Sequence, residues 1–359
     1  MANNKRQKSN KINGVRKRLE FAISLIVGIV VFIFVLDYFG IDSLKVVYSN
    51  IQPIYFIPYI LFTIFAFVAI SWRLQVVLGA YNEKTSFWKL FTQSIAGYTI
   101  SYLTPSARIG GEPLKVYMMK KECGIDYKTG SSAVIMDKFI ELFGSAGLGI
   151  AGLILLFFLP GIPLSWKVIL GLVMVVSVLF LLFIYYWTVK GGGPFTYIFN
   201  LLRFYKFSKF KKFSGLLKDV EQKMYNFFVS HKKEFFWGCV LYGLYGLTTF
   251  FEFKFLFLSL GFDATIIELI LTIVTIGMIN FVPVPAGFGF HEAGQSGLLS
   301  VMRGSGEIGL AFILIARLRA LVTVAVGFII ISHFGGKKLL DKVKESKLSV
   351  EDFEKNGRG

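Results

Sequence analysis

Long apolar runs alternate along this chain with short clusters of charge, and that alternation outlines the fold. Predominantly apolar stretches occupy about 20–39, 54–79, 129–159, 166–189, 234–260 and 308–334. Each is long enough to cross a hydrocarbon layer of about 30 Å as a helix rising about 1.5 Å per residue. Lipid offers no water to backbone N–H and C=O groups, so a spanning segment must satisfy them within its own helix. Two further apolar segments, 86–112 and 264–306, are interrupted by glycine and proline. The pattern predicts an all-α, polytopic membrane helix bundle whose single transmembrane domain covers 20–334. A basic stretch, 1–19, precedes it and a charged tail, 335–359, follows.

Charge supplies the orientation. The chain is 55% hydrophobic, too apolar for a soluble domain of 359 residues, yet carries a formal charge of +17. The basic residues flank apolar runs, which points to topology and anionic headgroups and away from nucleic acid. Residues 1–19 hold seven Lys or Arg and no acid, so the N-terminus is expected in the cytoplasm. Segment 190–233 holds ten basic residues against Asp219 and Glu221 and belongs on the same side, as does the tail. The uncharged turn Pro160–Leu164 fits the outside. By this count 86–112 enters and leaves from the inside, and 264–306 from the outside. Both are expected as re-entrant, broken-helix hairpins in an inner (cytoplasmic) membrane, with eight plain spans as the alternative. Phe21–Leu36 is followed by Asp37-Tyr38-Phe39, no cleavage site, and reads as a retained span. Within 190–233, Leu216, Val220, Met224 and Phe228 recur every four residues, the stripe of a helix lying at the cytoplasmic interface.

No cofactor is expected. Cys123 and Cys239 are isolated, and His231, His291 and His333 are far apart, so neither a disulfide framework nor a metal site is indicated. Gly335-Gly336-Lys337 lacks the spacing of a nucleotide-binding loop.

Four segments carry candidate chemistry. In the first, Pro105 and Gly110-Gly111 break a helix beside Arg108, Glu112 and Lys115, and Pro113 suits the first turn of a new helix. Freed backbone N–H groups and two cations there could receive a phosphate. In the second, Asp137 and Glu141 share a face one turn apart inside an apolar span, with Lys138 beside Glu141 at i, i+3, and ionisable groups there mark a substrate or ion path. In the third, Pro283, Pro285, Gly287 and Gly289 unwind the chain ahead of Glu292. Irregular backbone at that depth must be buried in protein or line a wet cavity. The fourth is Arg317 in the last span, preferred over Arg319, which points the other way. Asp137 follows Glu112 by 25 residues, as Arg317 follows Glu292. Two helix–break–glutamate hairpins, each followed by a charged helix, are the trace of an inverted repeat.

Arg108-x-Gly110-Gly111-Glu112 and Pro283-x-Pro285-x-Gly287-x-Gly289-x-x-Glu292 resemble the two signatures of the lysylphosphatidylglycerol synthase transmembrane-region family. This flippase-like domain also occurs in stand-alone membrane proteins and fused to archaeal glycosyltransferases. Arg317-Leu318 is similar to the family's arginine in its last conserved helix. The resemblance spans about 15–335, with Asp137-Lys138 where the family usually has Glu-Arg and Ala286 where it often has glycine. It implies a lipid translocator rather than an enzyme, acting on a phospholipid or polyprenyl-phosphate-linked lipid. Arg108, Lys115 and Arg317 would hold the headgroup phosphate, and Glu112, Asp137, Glu141 and Glu292 would pair with them when the site is empty. Movement would be downhill or coupled to an ion or proton. The alternatives are an intramembrane transferase and a membrane partner of a separate lipid synthase or glycosyltransferase.

Overall fold

The computed structural model describes residues 51–106, 108–158, 164–201 and 213–333. The expected span at 20–39, the stretch 1–19, the turn 159–163 and the tail 335–359 lie outside them. Every regular element among the described residues is helical.

A 3-10 turn at Pro53–Tyr55 leads into α1 (Phe56–Ala80). The first interrupted segment becomes α2 (Phe87–Leu103), a break, and the short α3 (Glu112–Met118), which runs into a π-helical turn at Met119–Cys123. The long α4 (Tyr127–Phe158) and α5 (Leu164–Val189) follow, then α6 (Pro194–Leu201) and α7 (Phe213–Ser230). After α8 (Lys232–Ser259), the second interrupted segment forms α9 (Ile266–Ile279), a break, and α10 (Phe290–Arg303), and α11 (Glu307–His333) completes the series.

Among the described residues three helices have the length and apolarity to cross a membrane: Pro53–Ala80, Tyr127–Leu155 and Glu307–His333. The end of α5 and α6 form a bent pair, turned by 114°, that counts as a fourth if taken as one broken span. The 28-residue α8 has the length, but its tyrosines, glycines and Glu252 dilute its hydropathy. By contrast α9 and α10 have 14 residues each, about 21 Å, short of the hydrocarbon thickness. They pack against one another, as the two arms of a hairpin do.

The chain forms two compact units. The first gathers Tyr98–Gly111 and Phe253–Ala325 with the described residues up to Tyr59; the second gathers the described residues of Ile60–Gly97 and Glu112–Glu252 with those from Val326 to His333. The first unit is centred on aromatic packing of Phe253 and Phe257 against Phe312. Its helices α10 and α11 approach so closely that a Cβ on Gly309 would strike the Gln295 carbonyl. In the second unit Leu74, Val77, Leu90, Met119, Met136 and Ile140 form the core with Met224 and Phe227 of α7. The stripe on α7 is thus buried at Val220, Met224 and Phe228, against α4 and α5, while the Leu216 side chain lies outside the described ones. Leu172, Val175, Val176, Leu179 and Phe180 of α5 are exposed, an apolar face suited to lipid.

Candidate functional site

In the second unit, six ionisable side chains form one continuous network. Arg73, the sole charge of α1, donates from Nε to Asp137 Oδ1 at 2.6 Å and from Nη2 to Asp137 Oδ2 and Glu141 Oε2, both at 3.1 Å. Lys138 reaches Glu141 at 3.0 Å and Glu112 at 3.3 Å, and Lys115 reaches Glu112 at 2.6 Å. Helical spacing explains the arrangement. Asp137 and Glu141 share a face of α4 one turn apart, and Glu112 and Lys115 stand at i, i+3 on α3. Gly97 on α2 leaves room for the Lys115 stem, since a Cβ there would lie 2.8 Å from Lys115 Cγ. The Tyr242 ring lies 5.8 Å from the Arg73 guanidinium, and its hydroxyl is 3.0 Å from Ser145 Oγ.

The Arg73 and Asp137 side chains are each 1% exposed, so no water screens their pairing. Three cations face three carboxylates, and the set has no net charge. A low-dielectric interior demands this balance, because an ion left unpaired there costs several kcal/mol.

The first unit holds a smaller set. Both Nε and Nη2 of Arg317 pair with the fully buried Glu292 carboxylate, the latter at 2.8 Å. Nη1 donates to the Ala286 carbonyl at 3.2 Å, and the guanidinium stacks 4.8 Å from the Phe288 ring. Glu292 also accepts the Gly289 N–H at 2.9 Å, sealing the start of α10. The break turns on left-handed backbone at Ala286 (φ 55°), Gly287 (φ 58°) and Gly289 (φ 81°). Pro283 precedes this turn, and Pro285 opens the single 3-10 turn Pro285–Gly287 within it. Arg108, also left-handed at φ 63°, is exposed, makes no ion pair among the described residues, and lies within electrostatic reach of His291 together with Arg317.

Two expectations are corrected by this geometry. Gly110 and Gly111 were expected to offer free N–H groups to an anion. Instead Gly110 N–H donates to Ser106 Oγ at 2.8 Å and Gly111 N–H to Ser101 Oγ at 2.9 Å, because buried donors are satisfied locally when hydroxyls are at hand. The loop is shaped by its serines. Asp137 and Glu141 were expected to pair with Arg108, Lys115 or Arg317, beside the i, i+3 neighbourhood of Lys138 and Glu141. Asp137 binds Arg73, and Glu141 is shared between Arg73 and Lys138, since Lys138 stands at i, i+3 to Glu141 on α4 and α1 brings Arg73 against the same two carboxylates. The Lys115–Glu112 and Arg317–Glu292 pairs form as expected. Glu252 accepts from Thr63 at 3.0 Å, and Lys254 pairs with Asp263.

A polar strut crosses each hairpin at its open end. In the second, Arg303 at the end of α10 joins Glu268, which itself caps α9 through Thr265. In the first, Gln93 donates to Glu122 at 3.0 Å. Burial holds the Glu122 carboxyl above its usual range, against the pull of that amide and of Lys89 and Lys121.

Arg73, Tyr242 and the loop serines are the residues that sequence reasoning missed. Comparison with known proteins settles the broader assignment. The family described as lysylphosphatidylglycerol synthase TM region matches residues 21–327. The chain belongs to this family. As a member of the lysylphosphatidylglycerol synthase TM-region family it is an integral, multi-pass membrane protein. It is 23% identical over 339 residues to a UPF0104 membrane protein of Methanothermobacter thermautotrophicus, covering 90% of this chain and 98% of the relative. A UPF0104 membrane protein of Pyrococcus horikoshii is 25% identical over 249 residues, covering 64% and 71%. No solved structure matches. Where the family resemblance leads one to expect Glu-Arg, Asp137-Lys138 lacks a guanidinium, and Arg73 supplies one to the same carboxylates.

Proposed function

We propose that this protein is a flippase-like lipid translocator, moving a phospholipid or a polyprenyl-phosphate-linked lipid, and that each charged set is a station for its headgroup phosphate. The reading is supported most by the position of Glu112. Its carboxylate lies between the ammonium groups of Lys115 and Lys138, as an anion that a phosphate could replace. Exchange of one oxyanion for another keeps every neighbouring cation paired, so a headgroup enters without leaving a bare charge in a dry interior. In the first unit Arg108 adds an exposed guanidinium with no carboxylate of its own among the described residues, suited to two phosphate oxygens at once.

Site residues in this reading are Arg108, Glu112, Lys115, Asp137, Lys138, Glu141, Glu292 and Arg317, with Arg73 as the missing counter-ion. Gly110, Gly111, Pro283, Pro285, Gly287 and Gly289 shape the two breaks. The inner membrane and cytoplasmic termini belong to the same proposal, carried by the charge distribution of the sequence, as does an inverted-repeat origin of the hairpins, carried by their shared helix–break–glutamate layout. The test is reconstitution of purified protein in vesicles carrying a fluorescent anionic phospholipid, with reporter in the outer leaflet destroyed chemically. Protein-dependent loss of protected signal supports translocation. A rate equal to protein-free vesicles, with the protein folded and inserted, removes it.

A further inference from the structure

Helical hydroxyls in this protein generally bond back to their own helix. Ser132 donates to the Lys128 carbonyl at 2.8 Å, Ser145 to Glu141 at 2.6 Å and Thr323 to Arg319 at 3.0 Å. This is the ordinary fate of a hydroxyl in an apolar helix. Thr188 on α5 departs from it alone, and Thr272 on α9 and Ser296 on α10 depart from it together, on the two arms of one hairpin. Both are 0% exposed, and neither Oγ1 nor Oγ has a hydrogen-bond partner among the described residues.

Gln295, also 0% exposed, precedes Ser296 on α10 and reaches across to α9. Its Nε2 donates to the Thr272 carbonyl at 3.3 Å across the α9–α10 interface. The opposite amide orientation would set oxygen against oxygen, so this bond fixes where Oε1 points. Oε1 has no partner either. Three fully buried oxygens from two packed arms of one hairpin are thus left without a proton donor. Native structures rarely tolerate this unless water or an ion completes the set. The 295–296 peptide is pressed against Gly309 of α11, which holds two of the three residues in place.

The chemistry of the donors selects the ligand. All three are neutral oxygens, and the carboxylates one turn away are engaged, Glu292 on α10 by Arg317 and the Gly289 N–H and Glu268 on α9 by Arg303. A divalent cation takes carboxylates, whereas a neutral oxygen cage inside a membrane hairpin suits a single charge. We propose that Thr272 Oγ1, Gln295 Oε1 and Ser296 Oγ are the side-chain ligands of a monovalent cation of sodium's class, held inside the second hairpin.

The inference stands independently of lipid movement and is tested by binding alone. Radioactive sodium is titrated onto purified protein in nanodiscs at constant ionic strength, with choline as the replacing cation. Thermal unfolding is followed in sodium and in choline. Saturable retention, and a midpoint that rises with sodium, are expected for the natural sequence. Thr272→Val and Ser296→Ala keep the local volume and should each weaken retention about tenfold or more, while unfolding cooperatively in choline. Gln295→Leu should do the same; if it fails to fold, the two hydroxyl variants decide. No saturable retention, or equal retention in folded Thr272→Val and Ser296→Ala, would mean that only water fills the space and overturns the proposal.

Discussion

The two charged sets obey one rule in different ways. In the second unit Arg73, Lys115 and Lys138 face Glu112, Asp137 and Glu141, so six groups close into a neutral network. In the first unit Glu292 and Arg317 close into one pair, and Arg108 is left exposed with no carboxylate among the described residues. A closed network with its Arg73–Asp137 pair buried is costly to open there, because a deleted partner strands an ion. An open, exposed guanidinium costs the fold little and is available to an incoming anion. Residues of the closed network thus serve both the fold and the headgroup, whereas Arg108 serves capture alone, and substitutions should separate the two.

The largest effect on stability is expected from Arg73→Ala, which strands Asp137 in a dry site and should cost about 3–5 kcal/mol. Thermal unfolding in detergent measures it. Arg73→Met with Asp137→Leu, which removes both charges, should recover most of the loss. Arg317→Ala should cost about 2–3 kcal/mol, since Glu292 keeps its Gly289 N–H when the guanidinium goes. A cost equal to that of Arg73→Ala would erase the contrast between the two sets. Ala286→Gly acts on the backbone alone. It relieves a left-handed alanine at φ 55° and should stabilise by about 0.5–1 kcal/mol, part of the relief being lost to a freer unfolded chain. The smallest effect belongs to Arg108→Ala, within about 0.5 kcal/mol of the natural protein. A large loss there would mean that Arg108 is part of the fold's closed circuitry.

Much of this could be read from the chain. The breaks at Pro105–Gly111 and Pro283–Gly289 announce themselves because glycine and proline disrupt an otherwise apolar run. The 25-residue step from Glu292 to Arg317 led to an ion pair that does form. Arg73 escaped, although a lone arginine in an apolar helix follows the same logic that singled out Asp137. It sits seven residues from the end of α1 and reads as a headgroup anchor until its helix is placed beside α4. The serine bonds at Gly110 and Gly111 escaped for another reason. Whether a freed N–H stays free depends on side-chain geometry over ten residues, which no periodicity encodes. Ala286 shows the reverse case: a departure noted in the sequence became meaningful once its positive φ was seen.

Two lipid reporters of similar bulk test the central claim most directly, one with an anionic phosphate headgroup and one a neutral glycolipid without phosphate. Their movement is compared in vesicles carrying the natural protein, Arg108→Ala or Arg108→Lys. The phosphate-bearing reporter is predicted to move quickly with the natural protein, more slowly with lysine and hardly at all with alanine, the glycolipid staying slow throughout. Equal movement of both reporters, or undiminished phospholipid movement by folded Arg108→Ala, would contradict the account.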